Sequence, residues 1–146
     1  MFYCFGVKDS DRDFLRFLWH EDNDPSKPLV EYRMCKHVFG KSPSPAIANY
    51  GLKKSVENSD NDVKQFVERD CYVDDELTSC PTVSVAKSLL KRTKASLAVK
   101  GIRPHKISSN VRDVMKDFPR EDLASDLNRL DFDLESLPTQ RSLGLQ

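Results

Sequence analysis

Two adjacent carboxylates, Asp74 and Asp75, follow directly on Cys71-Tyr72-Val73 and lead into Glu76-Leu77-Thr78. Cys71, Tyr72 and Val73 suit a strand. Aspartate is poor inside a strand and good in a tight turn. The expected geometry is therefore a hairpin with Asp74 and Asp75 at its tip. Like charges held side by side repel, and a hard divalent cation such as Mg²⁺, which takes carboxylate oxygens, would offset that repulsion. An Asp-Asp pair is also common in plain solvated turns, so the pair alone leaves both readings open.

The elements that must position this hairpin can be taken in order. Met1–Val7 is an aromatic, strand-like run, and Asp9–Asp13 is a polar or short helical turn. Phe14–Trp19 is apolar apart from Arg16, which predicts a strand covered on both faces. His20–Pro28 reads as a hairpin loop and Leu29–Met34 as the returning strand. His37–Pro45 is a loop entering a helix, with Ser44 as N-cap and Pro45 at the first helical position. A short helix is expected around Val63, Phe66 and Val67.

After the hairpin, Leu77–Cys80 predicts a returning strand, and Pro81-Thr82 opens the clearest helix, Val83–Val99. Val83, Ala86, Leu90 and Leu97 mark its apolar face, widened by Leu89, and Gly101 stops it. Val111, Val114, Met115 and Phe118 give a further amphipathic helix ended by Pro119. Leu123, Leu127 and Leu130 predict another, within an acidic helical connection over residues 120–140. Ser142–Leu145 reads as the start of a strand.

Composition bounds the function. The chain has 146 residues, 38% hydrophobic and 32% charged, with zero formal net charge. One domain is expected, with no global attraction to nucleic acid. Charge is nevertheless uneven: from Leu77 to Arg112 there is no Asp or Glu, while Lys87, Lys91, Arg92, Lys94, Lys100, Arg103, Lys106 and Arg112 are basic. Such a segment suits a phosphate backbone, or equally a solvated helix face. Cys4, Cys35, Cys71 and Cys80 show no CxxC or zinc spacing and read as free thiols in a reducing compartment. No signal peptide is visible, and no apolar run approaches the ~20 residues of a membrane span.

Several ordered motifs carry a family resemblance that covers essentially the whole chain. Phe14-Leu15-Arg16-Phe17-Leu18-Trp19, Tyr32-Arg33-Met34, His37-Val38-Phe39-Gly40 with Ser44-Pro45, and Tyr72-Val73-Asp74-Asp75 follow one another as in the reverse transcriptases of Pao-type (Bel/Pao) LTR retrotransposons. The resemblance implies an α+β fold: a partial reverse transcriptase palm, residues 1–146, running from the end of motif A to the start of motif E. In that palm an antiparallel sheet would join Phe2–Val7, Cys71–Val73 and Leu77–Cys80, with helices Ala46–Val56 and Val83–Val99 packed on one face.

The same resemblance implies the chemistry. Asp74 and Asp75 would be catalytic Mg²⁺ or Mn²⁺ ligands, and Lys106 the motif D lysine near the nucleotide phosphates. Phe2 would be the steric gate under the sugar. Phe39, Gly40 and Ser44 would back the nascent base pair, Tyr72 would lie beside the primer end, and Gly144 would belong to the primer grip. Gly40 would admit a close backbone approach to substrate, having no Cβ. The partners would be a template-primer of RNA or DNA, deoxynucleotides and the remainder of a polyprotein, with no membrane. The compartment would be cytoplasmic, within a virus-like particle.

Departures from the family pattern matter too. Phe39 stands where retroviral relatives have glutamine, and Ile107 where the family usually has tryptophan. The resemblance implies that the motif A aspartate would lie a few residues before Met1, so the chain is expected to be an inactive fragment of the polymerase. The alternative from another class is a non-enzymatic, retroelement-derived remnant that binds nucleic acid or protein through the basic segment. A small Mg²⁺-dependent phosphatase or nuclease using Asp74 and Asp75 is a third reading.

Overall fold

The computed structural model describes residues 1–125 and residue 127. They form a mixed α/β arrangement with two small antiparallel sheets and several helices. The chain divides into two compact units, Met1–Ala48 and Asn49–Gln146.

The first unit is built on a hairpin, β1 (Arg16–His20) and β2 (Leu29–Arg33), with Phe17 opposite Tyr32 and Trp19 opposite Val30. The expected strands are present, but their burial is not. Leu18 is 62% exposed and Trp19 51%. A two-stranded sheet has two open faces and two open edges, and a unit this short has too little chain to cover them. What orders the hairpin is local. The Phe17 and Tyr32 rings stack at 5.7 Å, Trp19 Nε1 donates to Asn23, and Arg16 bridges Asp13 and Glu31.

The N-terminal run is not a strand. Phe2–Cys4 forms a 3-10 turn, and only Gly6 makes a β-bridge, to Lys36. Asp9–Leu15 forms a second 3-10 segment, which agrees with the short helical turn expected over Asp9–Asp13 and takes Phe14 and Leu15 out of the expected strand. The sheet expected to join Phe2–Val7 to Cys71–Val73 and Leu77–Cys80 is absent among the described residues. Instead, among the described residues β3 (Cys71–Tyr72) pairs with β4 (Asp75–Glu76) alone, and Leu77–Cys80 has no strand partner there.

Helix α1 (Ser44–Ser55) spans the division between the units. The second unit continues with α2 (Asn61–Arg69), the β3–β4 hairpin, α3 (Val83–Ala98) and α4 (Arg112–Lys116). Helix α3 begins and ends as its sequence requires. Thr82 Oγ1 accepts from the Val85 N–H, and Gly101 takes φ +71° while Ile102 N–H returns to the Leu97 carbonyl. That left-handed turn carries little strain at glycine.

The core of this unit gathers Val63, Phe66 and Val67 from α2, Leu89 and Leu97 from α3, and Val114 and Met115 from α4. Leu123 does not continue a helix. It follows a 3-10 turn, Arg120–Asp122, and makes a parallel bridge to Ile107. The acidic helix expected through Leu127 and Leu130 is thereby displaced at its start, and the remainder of residues 120–140 lies outside the described residues.

Acidic side chains clamp α3. Lys87 and Lys91 reach Asp117, Arg92 reaches Asp60 and Asp62, and Lys94 and Arg103 both reach Asp122. Asp122 is the buried member, with its carboxylate 1% exposed. Burial pushes its carboxyl up, but hydrogen bonds from Lys94 and Arg103 outweigh that, and it settles below its ordinary value. A depressed carboxyl stabilises the fold fully above the unfolded value of about 3.9, and that gain is lost as pH falls through the lower folded value. Asp122→Asn is expected to cost about 1–3 kcal/mol at neutral pH, toward the lower end because Arg103 stays 64% exposed and can rehydrate. The gap between wild type and variant in urea midpoint should close below pH 4. A gap that persists unchanged at pH 2.5 would count against the ion pairs as its cause.

Candidate functional site

The acidic hairpin is present, with a shifted tip. Tyr72 pairs with Asp75 and Cys71 with Glu76, so the loop residues are Val73 and Asp74. Asp75 therefore stands on the returning strand beside Tyr72, not at the apex. The reason lies in the backbone. A two-residue hairpin loop needs a residue at positive φ, and Val73 supplies it at φ +54°. For a β-branched residue this conformation costs about 1–2 kcal/mol. The Asn49 side chain faces the strained residue: its Oδ1 accepts the Val73 N–H at 2.7 Å.

The hairpin base is latched to the end of α2. Leu77 N–H donates to the Asp70 carbonyl at 3.0 Å, and Thr78 Oγ1 donates to the Asp70 carboxylate at 2.8 Å. Asp74 and Asp75 are exposed, and Tyr72 is half exposed. Because opposed residues share a face of an antiparallel pair, Tyr72 and Asp75 lie on one side, and Cys71 and Glu76 on the other. Burial raises the Glu76 carboxyl above its ordinary value. Burial also pushes the Cys71 thiol up, reinforced by the charges of Glu76 and Asp70. Cys71 is thus held as a neutral thiol donating to the Phe66 carbonyl, a poor nucleophile and a poor metal ligand.

The donor set can be tested against Mg²⁺. Two exposed, adjacent carboxylates fit a hydrated ion that keeps several waters. They do not fit a closed protein cage, and no group of three or more His, Cys, Asp or Glu side chains suited to a metal occurs among the described residues.

Lys106 is exposed on the segment between α3 and α4, at φ +62°, immediately before the Ile107 bridge. In the first unit, the residues expected to contact nucleotide do gather. Phe2 packs against Phe39 at 5.7 Å between ring centroids and against His37 at 5.9 Å. Gly40 follows at φ +88°, a conformation that favours glycine, with open space where a Cβ would stand. Ser44 is buried, and its hydroxyl donates to the Val38 carbonyl at 2.8 Å, closing the loop ahead of α1. His37 is buried over the same turn, with its Nε2 3.3 Å from the Ser44 carbonyl. Gly144 lies outside the described residues.

Two residues escaped the sequence reading. Asn49 sits inside a helix, where asparagine is a poor choice, and that misplacement was its only signal. Glu76 carries no signal in the sequence, and the pairing register shows it turned from the Asp75 face.

Comparison with protein-family models, curated proteins and solved structures finds no match to the chain. No helix among the described residues is long and apolar enough to cross a membrane.

Proposed function

We propose that the chain belongs to the palm of a Bel/Pao-type RNA-directed DNA polymerase and presents Asp74 and Asp75 to a catalytic Mg²⁺. The observation that supports this reading most is the Tyr72-Val73-Asp74-Asp75 segment on a tight antiparallel hairpin, with both carboxylates exposed and the hairpin latched to a helix. Asp74 and Asp75 would hold the ion, which when bound would supply charge stabilisation for nucleotidyl transfer. Tyr72, on the Asp75 face, is available to pack against a primer end. By the family resemblance, Phe2, Phe39 and Gly40, which gather within the first unit, would be nucleotide contacts of the intact polymerase, with Ser44 bracing their loop. Lys106 would act at the phosphates.

Two-ion chemistry needs a further carboxylate bridging the ions, and the described residues bring none to Asp74 and Asp75. On this reading the hairpin would need a third acidic group for turnover.

The nucleic-acid-binding alternative draws less support. Its basis is the basic segment Lys87–Arg112, in which Lys87, Lys91, Arg92, Lys94 and Arg103 are each engaged by an aspartate. Those charges are paired within the fold, four of them on α3. A salt titration of binding to single-stranded RNA separates the two readings: a shallow salt slope agrees with this engagement, and a steep one would favour the alternative.

Calorimetry with Mg²⁺ tests the hairpin itself. Affinity should be about millimolar or weaker, because Mg²⁺ gives up water reluctantly to only two carboxylates. It should disappear on Asp74→Asn. Micromolar binding that survives this substitution would refute the assignment.

A further inference from the structure

The acidic tip is held by a residue outside the hairpin. In a two-residue loop closed by the Tyr72–Asp75 pair, the N–H of the first loop residue has no acceptor within the hairpin. Here that N–H belongs to Val73, a β-branched residue at φ +54°, where glycine or asparagine would be expected. Its partner is Asn49 Oδ1 at 2.7 Å, in a part-buried bond from a helix 24 residues earlier in sequence. Asparagine in a helix interior favours neither the helix nor its own solvation. At position 49 it does something specific, because its amide oxygen meets a backbone donor of the strained loop residue.

We infer that Asn49 is a positioning residue, which locks the Val73–Asp74 loop in its left-handed conformation and so fixes where the Asp74 carboxylate is presented relative to Asp75. The backbone of Val73 sets the direction in which the chain enters Asp74. With the Asn49 acceptor removed, the positive φ at Val73 loses its compensation. The loop can then relax toward negative φ, which moves Asp74 without unfolding the helices around it. The consequence for metal binding rests on the function proposed above, but the coupling between Asn49 and the loop does not.

Amide hydrogen exchange and heteronuclear NMR of the full chain test the coupling. In Asn49→Ala, the Val73 amide should exchange about three- to tenfold faster, the range set by loss of one hydrogen bond. The Asp74 and Asp75 resonances should shift, while Leu97 and other α3 amides keep their protection. Asn49→Asp, which retains an acceptor oxygen, should keep Val73 protected. Val73→Gly removes the steric cost of positive φ, so in that background Asn49→Ala should move the Asp74 and Asp75 resonances less. The inference is overturned if Val73 exchange is unchanged in Asn49→Ala, if α3 amides lose protection equally, or if Asn49→Asp loses Val73 protection.

Line broadening by Mn²⁺ supplies the separate arm. The Asp74 and Asp75 amides should broaden in the parent chain and broaden less in Asn49→Ala at the same Mn²⁺ concentration. Absence of broadening in the parent would sink the metal reading, and the exchange data would still decide the role of Asn49.

Discussion

The 146-residue chain is expected to give no extension of a primed RNA or DNA template with Mg²⁺ or Mn²⁺. Phosphoryl transfer of this type rests almost wholly on positioning and on charge stabilisation by two ions. On the proposed reading, Asp74 and Asp75 would hold one hydrated ion loosely. Neither Glu76, turned to the opposite face and held above its ordinary carboxyl value, nor any other described acidic group joins them. A polypeptide in which a Bel/Pao fingers and motif A segment precedes these residues, and a thumb follows them, should extend the primer. Asp74→Asn should then remove about a thousandfold or more of that activity, comparable to the loss of a main charge-stabilising group in other transfer enzymes. Extension by the short chain alone, abolished by Asp74→Asn, would show that another group completes the centre. Activity of the long polypeptide that survives Asp74→Asn would remove the hairpin from the chemistry.

The parts of the fold legible in the sequence are those decided by local chemistry. Thr82 and Gly101 bracket α3 because a hydroxyl acceptor and a residue tolerant of positive φ satisfy a helix's terminal groups wherever the helix sits. The Asp-Asp pair announced a turn for the same reason. Its apex was misjudged because turn propensity favours aspartate over valine. A contact 24 residues away, through Asn49, instead places Val73 at the strained position. Local preference could not see that partner.

Burial was less legible than element type. Phe14–Trp19 reads as a covered strand, yet Leu18 on β1 is 62% exposed, since coverage depends on how many other elements a unit can bring to the sheet. In α3, the apolar face read from Val83, Ala86, Leu90 and Leu97, widened by Leu89, is buried only at Leu89 and Leu97. The buried residue between them is Thr93, whose hydroxyl has no partner among the described residues. A threonine methyl packs much as a valine does, so the helix face stays continuous although the sequence pattern is broken. The partners of the basic run Lys87–Arg112 were not legible either, because Asp60, Asp62, Asp117 and Asp122 all lie outside it in sequence and meet Lys87, Lys91, Arg92, Lys94 and Arg103 only through the fold.

Met115→Ala should produce the largest loss of stability of any single truncation in α4. The side chain is 0% exposed and lies in a cluster with Val114, Phe118, Leu123, Ala124 and Leu127. Val83, Ala86, Leu90 and Ile107 pack against that cluster. Helix α4 has only five residues, far too few to persist without tertiary contacts. Its placement therefore depends on Val114 and Met115 reaching inward. Truncation removes three heavy atoms from a site with little room to collapse, at a cost of about 2–5 kcal/mol. Against a typical total of about 5–15 kcal/mol, this is a large fraction, and it should lower Tm by several degrees per kcal/mol lost. Met115→Leu, which keeps the volume, should cost less than about 1.5 kcal/mol. Leu18→Ala on the β1 strand provides the contrast. At 62% exposure its removal should stay within about 0.5 kcal/mol. Urea denaturation of the three variants decides the matter. If Leu18→Ala proves as damaging as Met115→Ala, the β1–β2 hairpin is covered in solution, and the division between a packed helical unit and an open hairpin is wrong.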